Sequence, residues 1–330
     1  MRKLLALAAT VSLLALTPTP VATQDDLGVA SKTGVVVSSS DLAADVGAMI
    51  LNKGGNAVDA AVATAFAMAV TSPSNGNIGG GGFMVVRLPN GTATTFDYRE
   101  MAPGKSTPTM YLKANGDIDM SLTQQGYLAP GVPGTVRGLS MAHKKFGKLA
   151  WKDVVLPAAE LAGKGFKLSR SLAAGLNSEV KGRMKTFPAS VAAYGKPGGA
   201  DWAEGDTIVL GDLSKTLSAI ATDGPDAFYT GWIADRIAED MAKHGGIITK
   251  ADLANYVAKE RAPIKGTFNG FDVVTMPPPS SGGIALVEML NILEALNLPK
   301  DAHLSIAAIQ KVVRSEEHTS ELQSRLHLVC

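Results

Sequence analysis

Two stretches of this sequence carry residue types that do chemistry. In Phe96-Asp97-Tyr98-Arg99-Glu100 a guanidinium comes at the end of a run suited to a buried strand. A guanidinium offers two parallel donors, the geometry that forks a carboxylate. From the residues alone, a structural ion pair with Asp97, Glu100 or another acid is the simpler role for Arg99, and a carboxylate fork the sharper one. The second stretch is Gly76-Asn-Ile-Gly-Gly-Gly-Gly82. Consecutive glycines such as Gly79 to Gly82 cost roughly 0.5–1 kcal/mol each relative to Ala in conformational entropy. The run therefore marks a close backbone approach, either a tight connection in a crowded core or the wall of a site.

Other short strings do not carry the chemistry they suggest. Gly104-Lys105-Ser106 would end a phosphate-binding loop, but the first glycine of that motif would fall at Arg99. The glycines from Gly76 to Gly82 precede a strand rather than a helix and do not space as a dinucleotide fingerprint. Ser178-Glu-Val-Lys181 and Lys32-Thr33-Gly34 match two motifs of penicillin-recognising enzymes in inverted order. No G-x-S-x-G elbow is present. His143, His244 and His303 lie far apart without H-E-x-x-H, and each reads as a surface or capping histidine. The single cysteine, Cys330, excludes a disulfide scaffold and a Cys-x-x-Cys redox pair. No metal and no cofactor are expected.

The elements that must position these residues follow from periodicity. Gly34 to Ser38 is an apolar β-branched run, a strand candidate. Asp41 can cap a helix through Ile50, and Asn56 can cap a second, Ala57 to Val70, apolar on nearly every face and therefore buried. Phe83 to Leu88 and Thr92 to Tyr98 form a hairpin across Pro89-Asn90-Gly91. Helices are expected over Thr135 to Phe146, Trp151 to Leu161, Leu213 to Thr222, Ile233 to Lys243 and Ile284 to Leu296. Thr249 and Asp252 form a capping box, and Lys265 to Met276 a second hairpin around Asn269-Gly270. The body reads as one domain of mixed α and β type.

Composition narrows the partners. Of 330 residues, 31 are Lys or Arg and 30 Asp or Glu, a net charge of +1, so there is no global basic field for nucleic acid or an anionic membrane. Residues 1–22 read as a signal peptide: Met1-Arg2-Lys3, an apolar run from Leu4 to Leu16, and a polar exit to Ala22. The apolar run is too short to span a bilayer, which takes ~20 residues. From Arg314 to Cys330 the text changes to clustered polar residues and reads as a foreign tail, a native surface helix being the alternative.

Five blocks resemble the γ-glutamyltranspeptidases, in that family's order: Gly54-Gly-Asn-Ala-Val-Asp-Ala-Ala61, Asn77-Ile-Gly-Gly-Gly-Gly-Phe-Met84, Asp97-Tyr-Arg-Glu-Met-Ala-Pro103, Pro130-Gly-Val-Pro-Gly-Thr135 and Met276-Pro-Pro-Pro-Ser-Ser-Gly-Gly283. The resemblance covers the region 23–313. It implies an α+β fold, the αββα sandwich of N-terminal-nucleophile hydrolases, incomplete at its C-terminal side. It implies a periplasmic or secreted enzyme that moves the γ-glutamyl group of glutathione and related amides to water, an amino acid or a peptide.

In that family the precursor cuts itself, and the new N-terminal Thr of the small subunit becomes the nucleophile with its own amine as base. No residue here matches that Thr, so no catalytic residue is assigned and the chain reads as a large-subunit fragment awaiting its small subunit. An Arg in the block matching Asp97 to Pro103 holds the α-carboxylate of the glutamyl group. The resemblance therefore assigns Arg99 to substrate binding. A related acylase acting on glutaryl side chains, or a non-catalytic fragment or binding module, are the alternatives.

Overall fold

In the computed structural model, residues 30–295 are described. The segment 1–22, His303 and the stretch from Arg314 lie outside them. Chain contacts divide the protein at Val35. The described part of the first unit, 30–35, has no helix or strand. All described helices and strands belong to the second unit, which begins at Val36.

The N-terminal layer of that unit is a pair of helices. Helix α1, Asp41–Asn52, starts one residue earlier than expected: Ser40 is the cap, its hydroxyl accepting from the Ala43 N–H, and Asp41 lies in the first turn. Helix α2, Ala57–Thr71, is capped as expected by Asn56, whose side chain accepts from the Val58 and Asp59 N–H groups. Asp59 answers by accepting from the Asn56 N–H at 2.9 Å. It is fully buried and also takes the Lys148 N–H at 3.0 Å, so its carboxylate ties the start of α2 to a loop 89 residues on. A buried carboxylate needs such donors.

Strands β1, Phe83–Arg87, and β2, Ala93–Asp97, pair antiparallel with Phe83 opposite Asp97. Short α3, Met120–Gln124, leads to α4, Thr135–Phe146, which lies against β2, with Phe146 edge-on to Phe96. Helix α5, Trp151–Lys164, packs on α2 through Trp151 and Phe66. It runs past Leu161 until Gly165 ends it.

Strand β3, Phe166–Lys167, pairs with β4, Thr207–Ile208. Between them lie α6, Arg170–Lys181, and α7, Pro188–Tyr194. Helices α8, Gly211–Asp223, α9, Asp226–Tyr229, and α10, Trp232–Lys243, follow. Then comes α11, Lys250–Ala254, opened by the expected Thr249–Asp252 capping box.

Strand β5, Lys259–Arg261, adds to β2, so the larger sheet has the order β1-β2-β5. The hairpin of β6, Ile264–Phe268, and β7, Phe271–Thr275, turns at Asn269 and Gly270, both in the left-handed region. Helix α12, Ser281–Ala295, closes the described chain. The core runs along α2, α5 and α8, with Phe66, Leu217 and Ile220 fully buried.

Two expectations fail. Gly34 to Ser38 forms no strand, and Val37 is 86% exposed. β-propensity expresses fit to a pleated neighbour, and no described strand offers this run an edge. His143 is neither a surface nor a capping residue. It is half-buried, edge-on to Trp151, with Nε2 3.1 Å from the Leu149 carbonyl and 3.4 Å from Asp59. His244 does sit at a helix end, its Nδ1 3.0 Å from the Asp240 carbonyl of α10.

Candidate functional site

Strand β2 delivers Arg99. Residues Thr95 to Tyr98 are buried, and beyond Tyr98 the chain leaves the sheet, putting Arg99 in solvent at its rim. The backbone there is held on both sides. The Arg99 N–H donates to Asp97 Oδ1 at 3.1 Å, and the Tyr256 hydroxyl donates to the Arg99 carbonyl at 2.8 Å. One guanidinium nitrogen, Nη1, donates to the Pro279 carbonyl at 3.1 Å.

The expected ion pair forms elsewhere. Asp97 Oδ2 accepts from Arg261 Nε at 2.9 Å and Nη2 at 2.8 Å. Among the described residues, Arg99 lies within salt-bridge distance of no carboxylate, and its Nε and Nη2 have no partner. Sequence reasoning missed Arg261. The available signal was the charge alternation of Lys259-Glu260-Arg261 on a short strand, which leaves one side of β5 free to face Asp97.

Arg99, Glu100, Met101, Val257, Lys259 and Pro279 line a concavity of about 480 Å³. With Asp97 and Arg261 neutralising one another, two cations against one acid remain at its wall. A planar carboxylate fits such a surplus. A larger groove, about 1300 Å³, runs beside α1 and α6, but its charges balance: Glu179 and Arg183 are joined at 2.6 Å, and Asp41 and Lys167 add one acid and one base. Volume alone does not mark a site; a surplus of one charge beside a concavity does. Among the described residues no three His, Cys, Asp or Glu side chains gather to hold a metal.

The glycine run stands behind this segment as a close-packed connection. A Cβ on Gly81 would come 2.5 Å from the Tyr98 carbonyl, and one on Gly82 2.8 Å from the Tyr98 ring. The Gly80 carbonyl accepts from the Gly134 and Thr135 N–H groups at 2.7 and 3.1 Å, anchoring the start of α4. Asn77 completes the joint, its Oδ1 accepting from the Gly80 N–H at 3.0 Å and the Thr135 hydroxyl at 2.5 Å. The run does not border the concavity. It sets the path of the strand end that carries Arg99.

A stack of tyrosines supports the other side. Tyr256 lies parallel to Tyr229 at 6.0 Å, and the Arg137 guanidinium covers Tyr229 at 4.3 Å. Burial pushes the Tyr98 phenol up to about 12. Burial, with Tyr229 and Asp97 nearby, raises Tyr256 further, so it remains a neutral hydroxyl donor.

Residues 43–326 match the family model for gamma-glutamyltranspeptidase. This chain belongs to that family. The glutathione hydrolase proenzyme of Escherichia coli (strain K12) is 46% identical over 290 residues, which cover 88% of this chain and 50% of that protein. The crystal structure of the Helicobacter pylori gamma-glutamyltranspeptidase superimposes with a TM-score of 0.85 at 41% identity, covering 88% of this chain and 83% of that one. The fold is thus that of the γ-glutamyltranspeptidases, which are N-terminal-nucleophile hydrolases. The acylase ACY 1 proenzyme of Pseudomonas sp. (strain SE83) is 38% identical over 271 residues, covering 80% of this chain and 48% of that protein. The chain spans about half the length of the curated relatives it matches.

Proposed function

We propose that this chain is the donor-binding part of a γ-glutamyltransferase/glutathione hydrolase, with Arg99 gripping the α-carboxylate of a γ-glutamyl donor. The observation that carries the reading is the Arg99 guanidinium, free of any described carboxylate because Arg261 has taken Asp97. It stands exposed at the wall of a concavity and keeps two nitrogens for a ligand. Glutathione or another γ-glutamyl amide is the donor, and water, an amino acid or a peptide the acceptor. The Thr nucleophile belongs to a small subunit released from the same precursor, and acyl transfer needs that second part. No described helix is long and apolar enough to cross a membrane.

Export to the periplasm or medium fits the start of the sequence. Mass spectrometry of the exported protein is expected to find an N-terminus between Val21 and Asp26. An intact Met1 on a cytoplasmic product would contradict it.

The similarity to an acylase proenzyme favours one second reading, a glutaryl acylase. Both donors offer Arg99 the same carboxylate, and only the γ-glutamyl group adds an α-amine. The test is therefore donor kinetics in the full-length proenzyme with γ-glutamyl and glutaryl anilides, beside Arg99→Ala. Turnover of the γ-glutamyl anilide alone, lost in Arg99→Ala, supports the first reading. Preference for the glutaryl anilide supports the second, and a KM untouched by Arg99→Ala removes Arg99 from both.

A further inference from the structure

The Arg99 backbone is bound by Tyr256, a side chain that also borders the concavity. Tyr256 follows α11, 157 residues along the chain, and is 4% exposed. It reaches Arg99 only because Gly134 leaves room: a Cβ there would lie 2.1 Å from the Tyr256 hydroxyl and 2.1 Å from the Tyr98 carbonyl. The ring cannot slide away, being stacked on Tyr229. The Tyr229 hydroxyl is fixed in turn, donating to the Pro133 carbonyl at 3.1 Å and accepting the Arg137 N–H at 3.0 Å. A rigid column thus ends in one hydroxyl, spent on the carbonyl of Arg99, the site arginine that no carboxylate has taken. With Asp97 on the N–H and Tyr256 on the C=O, the peptide groups on both sides of the Arg99 Cα are held, and the guanidinium starts from a fixed point. A carboxylate clamp depends on such placement, since misplacement of about 1 Å weakens a transition-state contact severely.

We infer that Tyr256 is a positioning residue for Arg99, and through it a determinant of preference for donors that bear an α-carboxylate. The inference rests on the carboxylate reading of Arg99 given above. Tyr256 touches no substrate in this role. Its hydroxyl matters, and its ring serves only to hold that hydroxyl.

The test uses full-length, self-processed enzyme carrying Tyr256→Phe, Arg99→Ala or both, with two donors. One is a γ-glutamyl anilide. The other is a 4-aminobutanoyl anilide, the same acyl chain without its carboxylate. Removing the hydroxyl costs one hydrogen bond, so Tyr256→Phe is expected to raise KM for the γ-glutamyl donor about three- to tenfold. Its kcat should stay within about twofold, as expected when a contact made equally in the ground and transition states is weakened. Values for the aminobutanoyl donor should not move. In the Arg99→Ala background Tyr256→Phe should add nothing, because residues acting through one another are not additive.

Equal losses on both donors, or an additive loss in the Arg99→Ala background, would make Tyr256 a structural residue and overturn the inference. Wild-type kinetics in Tyr256→Phe, or a Tyr256→Phe chain that no longer processes, would overturn it too. If Arg99→Ala raises KM while Tyr256→Phe does not, only the positioning role falls. If Arg99→Ala itself leaves KM unchanged, the carboxylate reading falls first and the inference with it.

Discussion

The carboxylate of Asp97 receives two N–H donors from Arg261, at 2.9 and 2.8 Å, and none from the guanidinium of Arg99 two residues away. That choice of partner keeps Arg99 available. It also separates two kinds of arginine at one concavity, Arg261 paired across the strands and Arg99 without a carboxylate.

The first consequence concerns Arg99 itself. In the full-length protein, Arg99→Ala is expected to raise KM for γ-glutamyl donors by more than about tenfold, since a hydrogen bond to a charged group contributes about 1.5–3 kcal/mol. Arg99→Lys should recover only part, because an ammonium cannot fork. Self-cleavage should survive in both. Donor kinetics read beside subunit processing on a gel give the answer: normal KM with poor processing would assign Arg99 to folding.

Arg261 should behave oppositely. Arg261→Met strands the Asp97 carboxylate, which is 7% exposed. Breaking one partner of a buried pair costs about 3–5 kcal/mol, and the lower end applies because Arg261 is itself partly exposed. The urea midpoint should fall sharply, and Asp97→Asn added to Arg261→Met should regain part of the loss. An unchanged midpoint would mean that the pair contributes nothing.

The glycine run offers an internal comparison. A Cβ on Gly79 meets nothing within 4 Å, whereas one on Gly81 strikes the Tyr98 carbonyl. Gly79→Ala should therefore be neutral or stabilising by up to about 1 kcal/mol. Gly81→Ala should destabilise by about 1–3 kcal/mol, as overpacking against backbone does. Equal effects at both positions would show that entropy, and not close approach, governs the run.

Glu260 on β5 gives the pH dependence a sign. Hydrogen bonds from Lys145, at 2.6 and 2.7 Å, and from Thr94 hold its carboxyl below the usual 4.5. A carboxyl lowered by folding adds stability at neutral pH, which is lost as the pH falls through its folded-state value. The stability gap between wild type and Glu260→Gln should be open at pH 7 and close as the pH drops below about 4.5. Denaturation midpoints across that range measure it, and a gap that widens in acid would contradict the assignment.

Much of the scaffold is legible in the sequence because it is local. Asn56 and Asp59 announce the start of α2, and Asn269-Gly270 announces the turn between β6 and β7. Thr249 and Asp252 likewise mark α11. Helices α6 and α7 are not evident there because their apolar stripes are thin: only Ala173 and Leu176 are buried in α6, and nothing in α7. Arg99 is visible as an arginine at a strand end, but its state is not. Whether it is paired depends on Arg261, and Arg261 becomes a neighbour only when β5 adds to β2. His143 misleads for the same reason, since its burial comes from Trp151 and Asp59 on other helices.

The contacts that orient Arg99 span 157 residues to Tyr256 and 180 to Pro279. Closing such loops adds little to the equilibrium cost, which grows only as the logarithm of length. The burden is one of timing. A polypeptide growing from its N-terminus can complete the α1–α2 hairpin early, from residues close in sequence, and then the β1–β2 turn. It must then carry β2 as an uncovered edge, with Arg99 ungripped, until Tyr256, β5 and Pro279 have emerged. The hold on the ligand-facing arginine is therefore among the last features of the described chain that can come into being, although its residue is among the first made.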